Sequence, residues 1–292
     1  MAFPLQKLGP HLWRAADASQ RDAMGSRERI VAGVDRVILD SDGAIYALDT
    51  VDGVDASSWS RLSAGTLSRI PLDADVQALY DFTWDPETQT PDGTDRSPNG
   101  YDLPAHTGTV YFGMVGSLPC ALFDDASYTA AGPQANLEIT GDLTIELLTD
   151  WAGSGSTSAP IVQYDITGES LETNALYQIA NGATGRGLRM FWESGEGTPN
   201  HVQDFPMAEP SQHGAKLITY VRDDAAKEHH FYMSGNLVTT ETYTTSAEGG
   251  TSSRLSLFTG NLTAISVAGL CISDVARSAS NVLARARAVG LA

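Results

Sequence analysis

Three side chains with oxygen donors fall in one glycine-bearing loop: Asp92, Asp95 and Asn99 in P-D-G-T-D-R-S-P-N-G. Hard oxygen ligands gathered in a flexible loop are what Ca2+ requires. The same residues can instead make Asx-turn hydrogen bonds to their own backbone, and both readings are open. A sugar site needs an aromatic platform beside Asp, Asn or Gln side chains that reach hydroxyl groups. Tyr164, Tyr177 and Trp192 are the candidates for that platform, although aromatics on strands are more often core. Glycoside hydrolysis needs two carboxylates flanking the scissile bond. Glu146 and Asp150, in E-L-L-T-D-W, are the nearest pair, and they lack a third carboxylate. His229 and His230 are adjacent, so on a strand they face opposite ways and cannot join one cluster; they read as surface residues near a turn. The chain is therefore expected to bind rather than to catalyse.

The elements that must position these residues are mostly strands. From Val76 onward short apolar runs are separated by Gly, Asn, Asp and Ser turns. In L-T-I-E-L-L-T-D-W, Leu143, Ile145 and Leu147 alternate with Thr144 and Glu146, the period of a half-buried strand. G-L-R-M-F-W reads the same way, with Leu188, Met190 and Trp192 on one face. H-F-Y-M is joined through S-G-N to L-V-T-T, a hairpin signal. So many short strands at this spacing predict a sandwich. The closing S-A-S-N-V-L-A-R-A-R-A-V-G predicts a short helix with Ser280 as N-cap, Val282, Leu283 and Ala286 as its apolar face, and Gly290 as its stop.

Residues 1–24 read as an arm with a short helix in A-A-D-A-S-Q-R-D-A-M. Residues 25–70 form a small β-hairpin module: V-I-L and I-Y-A-L flank Asp-Gly, and Trp59 and Leu62 are expected to cover one face. Such a module is too small to bury a sufficient core, so it must lean on the large domain, on another copy or on a partner. Residues 63–75 are small, polar and proline-bearing and read as the boundary, with the sandwich over 71–292.

The chain has 292 residues and a formal net charge of −18 from 36 acidic and 18 basic side chains. Between Ile70 and Gly185 the only Lys or Arg is Arg96. Such a surface repels a phosphate backbone, so nucleic acid and anionic membrane are not expected partners. The same acidity serves solubility, or in part holds Ca2+. The two cysteines, Cys120 and Cys271, sit in apolar strand-like runs and are expected to be buried free thiols. No signal peptide and no run of about 20 apolar residues is visible, and assembly in a cytosol without membrane insertion is expected.

The order of these elements resembles the concanavalin A-like, laminin-G-type jelly roll over residues 76–292. A-L-Y-D-F-T-W-D followed by G-T-D-R-S-P-N-G-Y-D-L resembles its first strand and Asp-x-Ser-x-Asn-Gly loop. P-C-A-L-F-D-D-A-S-Y-T-A-A and L-E-I-T-G-D-L-T-I-E-L-L-T-D-W resemble the strands that follow. H-H-F-Y-M-S-G-N-L-V resembles the late hairpin, and I-S-D-V-A-R-S-A-S-N-V-L-A the final strand and helix. The resemblance implies an all-β jelly-roll sandwich, with Ca2+ near its edge loops in many members. Glycosidases on this sandwich use Glu-x-Asp-x-x-Glu, and Glu146 with Asp150 departs from that spacing. Residues 1–70 are similar to a small β module of phage tail, fibre and head-decoration proteins. That likeness implies a homo-oligomer, expected to be a trimer, attached to a virion through residues 1–70 and displaying the sandwich toward host surface glycans. The alternatives are a stand-alone lectin-like module and, last, a glycoside hydrolase.

Overall fold

The structure, a computed structural model, describes residues 67–129, 134–150, 214–247, 253–258 and 265–291 apart from 86, 89, 105 and 245, together with strands within 6–62 and 160–206 and the helical positions 19 and 21. Five short strands come first: β1 (Gln6–Lys7), β2 (Leu12–Ala15), β3 (Arg36–Leu39), β4 (Ile45–Leu48) and β5 (Trp59–Leu62). They form one sheet in the order β1-β2-β3-β4-β5. The expected hairpin is β3 with β4, Val37 opposite Tyr46. Two expectations change. The arm contributes β1 and β2, and β2 runs parallel to β3, with Trp13 opposite Val37 and both buried. Trp59 and Leu62 extend the sheet as part of β5 on the edge of β4, with Trp59 opposite Leu48. Of the helix expected in residues 15–24, Ala15 instead ends β2, positions 19 and 21 are helical, and the others lie outside the described residues.

The remaining strands are β6 (Val76–Tyr80), β7 (Trp84–Asp85), β8 (Thr90–Pro91), β9 (Thr107–Val115), β10 (Leu118–Thr129), β11 (Leu143–Asp150), β12 (Pro160–Ile166), β13 (Ala175–Asn181), β14 (Gly187–Trp192), β15 (His201–Pro206), β16 (Lys216–Asp223), β17 (Glu228–Met233), β18 (Asn236–Thr242), β19 (Ser253–Leu257) and β20 (Ile265–Ser273); helix α1 covers Ala279–Ala288. One sheet runs β9-β10-β20-β11-β16-β17-β18, with β6 also on β20. The other runs β15-β14-β13-β12-β19. Strand β10 belongs to both: its first half pairs with β9 and β20, and after an irregularity between Asp124 and Ser127 its end, Tyr128 and Thr129, pairs with β19. A strand that changes sheets through a bulge makes a sandwich corner. The core between the sheets takes Ile145, Leu147, Tyr220 and Phe231 from one side and Val162, Tyr164, Leu255 and Leu257 from the other. The fold is an all-β jelly-roll sandwich with a short C-terminal helix.

The outer face of the first sheet is covered too, and this corrects the half-buried reading of β11. Every residue of that strand is buried. Leu67, Ile70, Leu148, Cys271, Ala286 and Val289 form a second apolar cluster beneath α1 and the segment entering the sandwich. Leu67 and Ile70, in the stretch read from the sequence as boundary, thus pack into the core, and the exposed Ser68 donates its N–H to the Val289 carbonyl. The polar alternates of β11 are satisfied by partners rather than by water: Thr144 donates to the Val275 carbonyl at 2.6 Å, and Glu146 takes Arg285 of α1. The helix is capped by Ser278, which accepts the Asn281 N–H at 3.4 Å, two residues before the expected Ser280. Gly290 stops it at φ +87°, as expected. The β17–β18 turn puts Ser234 at φ +49° and Gly235 at φ +83°, the double positive φ that a tight two-residue hairpin demands.

Both cysteines are buried free thiols. Burial pushes the Cys120 thiol well above its usual range and lifts Cys271 to about 12. Since the thiolate is the reactive form, neither should react with a thiol reagent in the folded protein at pH 8. Ellman titration is expected to read no thiol in the native protein and two in denaturant. Among the described residues no helix is long and apolar enough to cross a membrane.

Candidate functional site

The first strand of the sandwich ends abnormally, and a cleft follows. Phe82, two residues beyond β6, has φ +44°, a region that a bulky L-residue rarely adopts. Its ring is fully buried among Tyr80, Phe123, Tyr128 and Phe258, with centroids 5.5 to 6.0 Å away. That packing holds the backbone in the turn that throws Thr83 and Trp84 out of the sheet. The chain then makes the β7–β8 hairpin, with Trp84 opposite Pro91 and Asp85 opposite Thr90. Thr83, Trp84, Asp85, Thr88, Thr90, Pro91, Asp92 and Gly93 surround an open cleft of about 450 Å3. Trp84 is half-buried, and its ring meets Phe112 edge to face at 6.2 Å.

The polar groups of the cleft are held in place by local hydrogen bonds. Asp85 accepts the Glu87 N–H through Oδ1 and the Thr88 hydroxyl through Oδ2, both at 2.8 Å. The Glu87 N–H foremost, then Thr88, keeps its carboxyl below the usual carboxylate range. The hydroxyls of Thr88 and Thr90 lie 2.7 Å apart. Asp92 accepts the Thr94 N–H at 2.9 Å and donates its own N–H to the Thr83 carbonyl at 2.8 Å, closing the hairpin base. A half-buried aromatic ring beside two aspartates and threonine hydroxyls can stack on the apolar face of a small polar ligand while the side-chain oxygens accept from its hydroxyls.

The loop behind this cleft turns on Asp95. Its Oδ1 accepts the N–H groups of Leu79 and Ser97 at 2.9 and 2.8 Å; its Oδ2 accepts the Ser97 hydroxyl at 2.8 Å and the Tyr101 N–H at 2.9 Å. This is the Asx-turn arrangement of the two open readings, extended to tie the loop to β6. Asn99 donates to the Gln77 carbonyl at 2.8 Å and accepts from Asn136 at 2.6 Å, and Asp92 faces the cleft, so the three residues serve three different tasks. Among the described residues no three His, Cys, Asp or Glu side chains group to hold a metal ion. Asp95→Ala would leave the buried Leu79 and Ser97 N–H groups without their acceptor, at about 1–3 kcal/mol each. Thermal unfolding is expected to show the variant destabilised by about 2–6 kcal/mol, and to show the wild-type protein melting alike in Ca2+ and in EDTA.

The other candidates fall elsewhere. Tyr164 is fully buried in the inter-sheet core and donates its hydroxyl to the Gln134 carbonyl at 2.7 Å, so it presents no platform to solvent. Tyr177 lies opposite it on β13, and Trp192 lies opposite His201 on β14; the side chains of both fall outside the described residues. Glu146 is fully buried in its ion pair with Arg285, and Asp150, also buried, accepts the Gly214 N–H at 3.1 Å. Neither carboxylate opens on a cleft among the described residues. His229 corrects the surface reading: it is fully buried, stacked on Tyr243 at 4.3 Å with Nδ1 2.5 Å from the Tyr220 hydroxyl, because β17 is an interior strand. Its neighbour His230 faces the other way, beside Thr240 at 3.0 Å. Trp84 carries no strand period in the sequence, because β7 is only two residues long and P-E-T-Q-T-P-D-G follows; the signal present was an aromatic flanked by Thr83 and Asp85.

Neither a protein-family model nor a curated protein matches the chain. Solved structures do. The receptor binding domain of botulinum neurotoxin mosaic serotype C/D is similar at a TM-score of 0.52 and 8% identity, over 73% of this chain and 51% of that one. The binding domain of Paraclostridial Mosquitocidal Protein 1 is similar at 0.49 and 14% identity, over 66% and 48%. The carbohydrate-binding module CBM40 of the Ruminococcus gnavus IT-sialidase is similar at 0.44 and 12% identity, over 51% and 85%. The chain spans about half the length of the toxin domains it matches. At such identities the likeness is one of fold, and the serotype C/D match supports the β-sandwich.

Proposed function

We propose that the chain is a carbohydrate-binding β-sandwich whose ligand enters the cleft beside Trp84. The observation that carries this reading is the cleft itself, where one half-buried tryptophan, two aspartates and three threonines surround about 450 Å3 on the sandwich. That volume suits one or two sugar rings, and sites of this size ordinarily combine an aromatic wall with a few polar groups. The similar botulinum neurotoxin domain is described as receptor binding, which agrees with a role in recognition. The setting we propose is a phage virion, with residues 1–70 attaching a homo-oligomeric protein to capsid or tail and the sandwich presented to host surface glycans. The likeness of A-S-Q-R-D-A-M and G-V-D-R-V-I-L-D-S-D-G-A-I-Y-A-L-D to phage modules supports that setting.

A glycan array probed with the full chain and with Trp84→Ala tests the binding reading. Wild-type protein is expected to bind a subset of glycans, and the variant to lose at least tenfold in apparent affinity, the loss of about 1.4 kcal/mol that a stacked ring readily accounts for. Equal binding by both proteins would move the site away from the cleft. Light scattering on the full chain tests the setting: a trimer is expected, and a monomer would remove the fibre-like arrangement.

A further inference from the structure

We infer that the Trp84 cleft selects by charge, taking neutral or amino-bearing sugars and rejecting glycans that carry carboxylate or sulfate. This inference rests on the glycan-binding reading above. The two ionisable side chains lining the cleft, Asp85 and Asp92, are both carboxylates. Among the described residues their hydrogen-bond partners are N–H groups of Glu87 and Thr94 and the hydroxyl of Thr88, none of them a cation. Arg96, three residues beyond Gly93, and Arg69 are paired with another residue: they lie 2.5 and 3.3 Å from one carboxylate oxygen of Asp81. Glu87, exposed at the hairpin tip, adds a third negative charge beside the cleft. An anionic sugar would meet these charges with no arginine or lysine among the described residues lining the cleft, within a chain whose net charge is −18.

The arrangement has the opposite sign from an anion site, where an Arg fork or a run of backbone N–H groups faces the ligand. Here the N–H groups of the hairpin are turned inward onto Asp85 and Asp92, which leaves the outer lone pairs of those carboxylates as acceptors. Acceptors suit the hydroxyl groups of a hexose, and they suit an ammonium better still. The Thr88 hydroxyl donates to Asp85 and takes the Thr90 hydroxyl as its own donor, so both add acceptor lone pairs to the cleft, which sugar hydroxyls also use.

The test is a glycan array carrying neutral, amino, sialylated and uronate-containing glycans, probed at 20 and 500 mM NaCl with the full chain, with Trp84→Ala and with the double variant Asp85→Asn/Asp92→Asn. Thermal unfolding of both variants serves as the control for folding. Bound glycans are expected to be neutral or amino-bearing, with signals from anionic glycans at least tenfold lower at 20 mM NaCl. The gap is expected to narrow at 500 mM NaCl, where the Debye length falls below about 5 Å, and in the double variant. Trp84-dependent binding of anionic glycans at 20 mM NaCl would overturn charge selection and leave the site standing. A gap that neither salt nor the double variant narrows would overturn it as well, by assigning rejection to shape. Binding that survives Trp84→Ala unchanged, or no binding of any glycan, would overturn the cleft reading and this inference with it.

Discussion

Replacing Arg285 with methionine is expected to cost about 3–5 kcal/mol of stability, the range seen when one member of a buried ion pair is removed. The guanidinium reaches from α1 across the outer face of the first sheet, with Nε 2.8 and 2.7 Å from the two oxygens of Glu146 and Nη2 2.6 Å from Oε2. It also pairs with Asp73 and donates to the Pro71 carbonyl at 3.0 Å. Burial disfavours its charge, and the hydrogen bonds and charge of Glu146 more than offset that. Without it, Glu146 is a carboxylate with no exposure on a strand buried on both faces. Thermal unfolding should show a fall on the order of 10 °C. The double variant Glu146→Leu/Arg285→Met is expected to recover most of the loss, because it removes both charges together, and Asp73, partly exposed, keeps its ion pair with Arg277 at 3.4 Å. A double variant as unstable as the sum of the single ones would mean that the pair is not the source of the effect.

Phe82→Ala is expected to cost a similar amount, about 3–5 kcal/mol, because it empties the centre of a five-ring cluster. The glycine variant separates two contributions to this figure. Glycine ordinarily destabilises relative to alanine, and at φ +44° the order should reverse, with Phe82→Gly more stable than Phe82→Ala by about 1 kcal/mol. Denaturant unfolding of the two variants checks the sign. Both variants should also weaken glycan binding, since the ring sets the direction in which Thr83 and Trp84 leave β6.

The strands and the hairpin were legible in the sequence because their patterns are local. The alternation of Leu143, Ile145 and Leu147 marks β11, and Ser-Gly-Asn marks the β17–β18 turn. What lay beyond local pattern was what covers each face. Thr144 and Glu146 look solvent-facing by period, and they are buried because Val275 and Arg285, more than 130 residues later, supply their partners. His229 looked exposed for the same reason, since its stacking on Tyr220 and Tyr243 depends on strand order. The Asp95 loop was half legible: the residue types showed a polar hub, and only the geometry assigned all four acceptor positions to the chain's own donors. Tyr164 had the right type for a sugar platform and the wrong face. Trp84 had no periodic signal because it sits where the sheet ends.

The indole N–H resonances of 15N-labelled protein provide the most direct test of where the ligand enters. The chain has five tryptophans, at 13, 59, 84, 151 and 192, so the spectrum holds five such signals, and Trp84→Phe assigns the one that matters. On titration with a neutral oligosaccharide bound on the array, the Trp84 signal is expected to move saturably while the other four stay in place. Saturable movement of the Trp192 signal with Trp84 unmoved would place the sugar on β14 and contradict the cleft as the binding site.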